Sequence, residues 1–299
     1  MVYSIVAGVD GSSASLAAVH WAAREALRRD TELLVVHATP ARPGRTTLAT
    51  PTDPRPRPAG KRWTPFHVAD ELRNAYPALS VVADEMSGQP LPALLEAARR
   101  AELLVLGAHG GRTAAGFLIG SVALGAAGRA PMPVVLVRPG TAPADEHFPP
   151  PDGGEEQGPY RDVVLGVNLA WPSERVVGFA FDAAARRTAA LRVVHGWSTP
   201  ESHQDTVPED ALPFGTAFDE AAVLGKVLAP WRDKFPGTNV IHEIVVGSAD
   251  RHLLDAASDA SLLVIGRRPR PTAIGPRSGS TTHTVLRHAQ VPVAVVPSG

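Results

Sequence analysis

The spacing Gly107-x2-Gly110-x9-Gly120-Ser121 is the part of this 299-residue chain best suited to chemistry. Glycine lets a backbone approach a ligand closely, and a helix start offers free N–H groups to an anion. Gly-Ser opening a helix therefore predicts a phosphate cradle, with the Ser121 hydroxyl and the Val122 N–H as further donors. Asp10 closes the first strand-like run. A carboxylate repels phosphate, so Asp10 is expected to accept from an adenine amino group or a ribose hydroxyl. The spacing returns as Gly266-x2-Pro269-x9-Gly279-Ser280. Proline has no N–H, so this copy keeps the register and loses a donor. Its loop adds Arg267, Arg268 and Arg270, and arginine can grip phosphate by its side chain. Two outcomes stay open there: weakened binding, or an anion held by arginines. A glycine at a strand end is often only a turn residue. The full spacing, joined to Gly-Ser and Asp10, argues for more than a turn.

Other residues carry less. His37 and His195 hold matching places at the end of a strand-like run and are expected to be structural or to line a cleft. His109 lies between the motif glycines, where it could graze a phosphate, though a loop position without that contact is the leading expectation. Ser12 and Ser13 read as helix caps. With no Cys, disulfides, thiolate metal sites and Cys nucleophiles are excluded. No His/Glu spacing resembles a metal centre, and neither a Ser-Gly-Gly-x-Asp-Ser loop nor a Gly-x4-Gly-Lys-Ser/Thr loop occurs.

The elements that must position these residues follow from periodicity. Short apolar runs at Ser4 to Val9, Leu33 to His37, Val81 to Met86, Leu103 to Leu106 and Val134 to Val137 read as strands buried on both faces. Helical patterns lie between them, up to Arg29, from Phe66 to Tyr76, from Leu91 to Ala101 and from Gly120 to Arg129. The second half repeats the scheme. Gly8 aligns with Gly166, Asp10 with Asn168 and His37 with His195 at an offset of 158. Gly88 aligns with Gly247, Gly107 with Gly266, Gly120 with Gly279 and Pro133 with Pro292 at 159. So little drift points to a duplicated domain. The expected division is residues 1–139, a Pro- and acid-rich linker at 140–160, and residues 161–299. Alternating strands and helices imply a parallel sheet covered on both faces. A second Pro-rich stretch, Pro40 to Pro65, reads as an irregular loop rich in arginine.

Net charge is −1, and no basic aromatic strip suggests nucleic acid. No apolar run is long enough for a bilayer, and no secretory signal is evident. The expectation is a cytoplasmic globular protein without nucleic-acid or membrane partners.

The runs Val6-Ala7-Gly8-Val9-Asp10-Gly11-Ser12, Val35-Val36-His37-Ala38, Leu106-Gly107-Ala108-His109-Gly110, Leu118-Ile119-Gly120-Ser121-Val122 and Pro133-Val134-Val135-Leu136-Val137 resemble the universal stress protein family. The chain looks like a tandem pair of such domains. The resemblance implies two five-stranded parallel α/β domains, Rossmann-like, of strand order 3-2-1-4-5. It implies ATP, with or without Mg2+, at the carboxyl edge of the sheet. Gly8, Val9, Asp10 and Ala38 would stand on the adenosine side. Leu106, Gly107 and Gly110 would flank the nucleoside and first phosphate, and Gly120, Ser121 and Val122 would receive the outer phosphates. The second-half counterparts are Gly166, Asn168, Gly266, Arg268, Gly279, Ser280 and Thr281. There Asn168 replaces the Asp, and Leu169 and Ala170 replace Gly11 and Ser12.

The leading functional expectation is a regulatory ATP-binding module in a stress or dormancy response, not a turnover enzyme. Two alternatives remain: an enzyme that slowly hydrolyses ATP or transfers a nucleotidyl group, and a nucleotide-free dimerisation scaffold. The resemblance also implies that the last strands of the halves pair, giving an intramolecular pseudo-dimer. Further homodimerisation stays open.

Overall fold

The computed structural model describes residues 5–39, 64–108, 112–113, 116–117, 119–149, 158–197, 214–267 and 280–298. The first half runs β1 (Ile5–Gly8), α1 (Ser13–Arg29), β2 (Leu33–Thr39), α2 (Pro65–Ala75), β3 (Val81–Ser87), α3 (Pro90–Ala97), β4 (Leu103–Gly107), β5 (Arg112–Thr113), β6 (Gly116–Phe117), α4 (Ser121–Arg129) and β7 (Val134–Val137). The second half runs β8 (Val163–Gly166), α5 (Glu174–Arg187), β9 (Leu191–Trp197), α6 (Phe214–Lys234), β10 (Val240–Val246), α7 (Ala249–Ala257), β11 (Leu262–Arg267), α8 (Ser280–His288) and β12 (Val293–Pro297).

Local chemistry sets these elements. The alanines of α1 let it lie close on the sheet, and Ser12 caps it by accepting from the Ser15 N–H at 3.2 Å. Asp30, at φ 50°, ends it in the left-handed region; Thr188 does the same for α5. Thr64 caps α2, and Pro65 fills the first turn, where a missing N–H costs nothing. Along β1, Ile5 and Ala7 face one core while Val6 faces the other.

The large sheet has the order β10-β9-β8-β11-β12-β7-β4-β1-β2-β3. Each half thus has the order 3-2-1-4-5, parallel within itself. The halves join through the antiparallel pair β7–β12, with Val134, Val135 and Leu136 opposite Val295, Ala294 and Val293. Helices α1, α2, α5 and α6 cover one face, and α3, α4, α7 and α8 cover the other. Both apolar cores run through both halves.

A second contact joins the halves by charge. Glu25 of α1 accepts from Arg187 of α5 at 2.8 Å, Arg29 at 2.7 Å and Arg28 at 3.1 Å. Glu146 accepts from Arg24 at 2.5 Å and Arg28 at 3.1 Å. Glu25 and Glu146 are each 1% exposed and Arg187 is 2% exposed, so these are interior ion pairs. Arg28 also donates to the Tyr160 hydroxyl at 2.9 Å.

The irregular linker expected over 140–160 is docked in the parts described. Pro143–Glu146 forms a 3-10 turn, His147 bridges Tyr160, and Glu146 anchors the turn inside the arginine cluster. Helix α3 ends at Ala97, short of the expected Ala101, because Ala98 to Ala101 closes a turn in which the Ala101 N–H donates to Ala98. The hairpin β5–β6 lies inside the glycine loop, where no strand was expected. Residues 40–63 of the Pro-rich stretch lie outside the described residues.

Candidate functional site

Strand order reverses between β1 and β4, which lead to helices on opposite faces. Open parallel sheets bind ligands at such a place, beyond the carboxyl ends of the strands. A cleft of about 230 Å³ opens there. Its walls are Gly8, Val9 and Asp10 after β1, Val36, His37 and Ala38 in β2, and Leu106 and Gly107 in β4. Gly120, Ser121, Val122 and Ala123 enter from α4, Pro90 and Leu94 from α3, and Ser15 from α1. Gly8, Val9, Asp10, Ala38, Leu106, Gly107, Gly120, Ser121 and Val122 therefore share one cleft. Gly110 and His109 lie outside the described residues.

The start of α4 is arranged for an anion. Gly120 is its N-cap, with no side-chain cap hydrogen bond and no acidic residue in the first turn. Its leading N–H groups need an acceptor, and the helix dipole favours a negative one. Among the described residues the lining includes no Lys or Arg, so backbone and hydroxyl donors face the cleft.

Asp10 also has a local duty. Its Oδ1 accepts from the Ser12 N–H at 3.1 Å and the Ser12 hydroxyl at 2.6 Å, and Gly11 turns at φ 82°. His37 donates from Nδ1 to the Val9 carbonyl at 2.7 Å. A carbonyl only accepts, so that nitrogen carries the proton. His195 makes the same contact to the Val167 carbonyl at 3.1 Å.

Gly107 is fixed by packing as well as by the cleft. A Cβ there would lie 2.6 Å from the backbone of both Ala14 and Ser15, where α1 starts. Ser15, Pro90, Leu94 and Ala123 were not singled out from the sequence. They reach the cleft through helix packing, and ordinary apolar or small residues in a helix carry no chemical signal.

The second half differs. Asn168 keeps the turn, its Oδ1 accepting from the Ala170 N–H at 3.0 Å, but brings no charge. Leu169 buries its side chain where the first half has Gly11. Gly196, the counterpart of Ala38, lies against α7: a Cβ there would be 2.5 Å from Ala249 Cα. Ala249 is the counterpart of Pro90, so the helix and strand that flank the first cleft pack together in this half as they do in the first. Asp250 accepts from the Ser248 hydroxyl and from the Arg251 N–H at 3.0 Å. The Ser248 hydroxyl above all, with Arg251 and Thr284, holds its carboxyl below the ordinary range despite some burial. It lies between α7 and α8, where the first half sets Leu91 against Gly125. Gly166 ends β8 opposite Ile265, the residue before Gly266 in β11, and Thr281 is in the first turn of α8. Arg268, Pro269, Arg270 and Gly279, and the Ser280 side chain, lie outside the described residues. Of the two outcomes left open for this loop, an anion held by arginines draws nothing from Arg267. Its guanidinium points across the seam and donates to the Gly128 carbonyl at 3.1 Å and the Ala130 carbonyl at 2.7 Å.

Comparison with known proteins agrees with this architecture. The model of the universal stress protein family matches residues 1–138 and again 159–297. Universal stress protein Rv2005c of Mycobacterium tuberculosis is 32% identical over 307 residues, spanning 98% of this chain and 96% of that protein. Universal stress protein Rv2623 of the same organism is 31% identical over 301 residues, spanning 97% and 95%. The crystal structure of a universal stress protein from Archaeoglobus fulgidus aligns with a TM-score of 0.64 at 16% identity, over 99% of this chain and 98% of that one. That last likeness speaks for the fold. The double family match, the tandem sheet and the relatives of equal length together place this chain in the universal stress protein family, with the family's domain present twice.

Proposed function

We infer that the first half binds ATP and that the protein acts as a regulatory nucleotide-binding module in a stress or dormancy response. The observation that carries this is the cleft at the strand-order reversal, with the uncapped start of α4 on one side and the apolar Val36, Leu94 and Leu106 on another. Asp10 and Ala38 would hold the adenosine side. Gly107 would stand beside the sugar and first phosphate, and Gly120, Ser121 and Val122 would donate to the outer phosphates. The residues present fit that ligand: apolar walls suit a base, and N–H groups without a competing carboxylate suit phosphate. Mg2+ keeps several waters and would arrive on the phosphates, not in a protein cage. Among the described residues, Asp10 and His37 are the titratable side chains of the cleft, and both have structural bonds, to Ser12 and to the Val9 carbonyl. This supports binding over turnover. ATP that contacts α4 more strongly in one arrangement would shift the population toward it and change what the surface presents.

The second half is read as a weakened site. The uncharged Asn168, the buried Leu169 and the ionised Asp250 each disfavour a nucleotide there. Calorimetric titration with ATP should give one site per chain. Two equal sites would contradict the assignment to the first half, and no heat at millimolar ATP with the protein folded would contradict the function.

The substitution Ser121→Pro isolates the phosphate side. Gly120 has φ −57° and ψ 147°, the extended geometry that a following proline requires, and proline is favoured at the first helical position. Folding should be little affected, while a hydroxyl and an N–H are removed. Hydrogen bonds to charged groups contribute about 1.5–3 kcal/mol, so ATP affinity should fall roughly ten- to hundredfold. Unchanged affinity would remove α4 from the site.

A further inference from the structure

Helix α4 is held at its far end by the other half of the molecule. It is a nine-residue helix, Ser121–Arg129, with glycines at 125 and 128. A helix this short, weakened by glycine, depends on its neighbours. Arg267, at the end of β11, donates to the Gly128 and Ala130 carbonyls. Arg175 of α5 adds a bond to the Pro131 carbonyl at 3.1 Å. A guanidinium at a helix C-terminus satisfies orphan carbonyls and complements the dipole. The first-half counterpart of Arg267 is Ala108, so this contact has no internal copy. A different residue makes the reverse crossing. Arg138, just past β7, donates to the Leu286 carbonyl at 2.6 Å and the Ala289 carbonyl at 2.8 Å, at the end of α8. Burial pushes the Arg138 guanidinium down to about 10, which still leaves it charged at neutral pH.

The two arginines therefore cross the β7–β12 seam in opposite directions, each onto the helix after the glycine loop of the other half. Of these two helices, α4 has its N-terminus on the cleft described above. We propose that Arg267 is a positioning residue for the first-half nucleotide site, setting α4 from its C-terminus so that the second half controls the affinity of the first. Gly266, one residue earlier, belongs to the second half's own glycine spacing, so the device starts inside the second copy of that spacing.

The proposal rests on the nucleotide reading, so its test includes a measurement that needs no nucleotide. In the full chain, Arg267→Ala, Arg267→Lys and Arg138→Ala are compared by ATP calorimetry and by amide hydrogen exchange across residues 121–129. Arg267→Ala should weaken ATP about tenfold, within the usual range for coupled sites, and speed exchange in α4. Arg267→Lys keeps the charge and should fall between wild type and alanine. Arg138→Ala cuts the same seam from the other side and should leave ATP affinity within about twofold while loosening α8. Equal effects of Arg267→Ala and Arg138→Ala on both ATP affinity and α4 exchange would reduce Arg267 to a seam contact and overturn the proposal. If Arg267→Ala does not fold, Arg267→Lys against Arg138→Ala is read by the same criterion. If the wild-type chain binds no ATP, the nucleotide reading falls by itself. The α4 amides then decide the coupling, and exchange unchanged in the Arg267 variants overturns it.

Discussion

The substitution Glu25→Gln is expected to lower the free energy of unfolding by about 3–5 kcal/mol, the usual loss when one partner of a buried ion pair is removed. Arg187 is buried beside Glu25, and Arg28 and Arg29 point at the same carboxylate. Without that charge, three guanidiniums lose their common acceptor. The cluster sits between α1 and α5, so the loss should loosen the docking of the halves as well as each half alone. Urea midpoints report the size. The double substitution Glu25→Leu with Arg187→Met removes the fully buried pair and should recover part of the loss, because Arg28 keeps Glu146 and Arg29 keeps Asp182 while an apolar pair of similar volume is often no worse than a buried salt bridge. A loss below about 1 kcal/mol, the worth of an exposed pair, would mean the cluster is solvated. Acid should act through the same residue. Burial pushes the Glu25 carboxyl up, but Arg187, Arg28 and Arg29 outweigh it and hold it well below its ordinary 4.5. A depressed folded pKa makes stability fully present above that ordinary value and lost as pH falls through the folded one. In Glu25→Gln, that part of the acid sensitivity should vanish.

Gly107→Ala is expected to be the more damaging of a matched pair. Its new methyl would meet the backbone of Ala14 and Ser15 at 2.6 Å, and backbone at a helix start cannot move aside cheaply. Overpacking of this kind costs about 1–3 kcal/mol. Ser15 and Gly107 both line the cleft, so any retreat of α1 should also lower ATP affinity. Gly266→Ala is the control at the repeat's equivalent position. There the methyl would meet side-chain atoms, Ser298 Oγ at 3.1 Å and Val176 Cγ2 at 3.2 Å, which can give way. Its thermal midpoint and ATP affinity should stay close to wild type. Equal damage from the two would mean that Gly107 is conformational filler and not a point of close approach.

Much of this organisation was legible in the sequence because it follows from local rules. Apolar runs flanked by small or polar residues located the strands, Ser12 located the start of α1, and the recurring glycines set the repeat. The cleft residues at strand ends could be named because strand ends are where backbone is exposed to a ligand. The rest depends on contacts between distant segments. Glu146 reads as one acid in a Pro-rich linker, yet arginines of α1 enclose it. Arg267 reads as part of a basic loop, yet it ends on α4. The replacement of Leu91 and Gly125 by Asp250 and Thr284 is visible as letters, but only packing shows that they face each other. Side-chain reach across a seam has no period and no spacing.

The antiparallel junction of β7 with β12 has a consequence for how such a molecule can change over time. In a dimer of identical subunits, a two-fold seam shows every residue twice, so no substitution can be made on one side alone. Here Val134, Val135 and Leu136 oppose Val295, Ala294 and Val293, which are encoded separately. Each side can drift by itself. Arg138 and Arg267 stand at positions whose counterparts are Pro297 and Ala108, a pairing that self-matching subunits could not carry on one side alone. One chain also fixes the local concentration of each half for the other, so dilution does not part them. A seam within one chain is therefore permanent and free to be asymmetric, whereas the same seam between identical subunits would be symmetric and dependent on concentration.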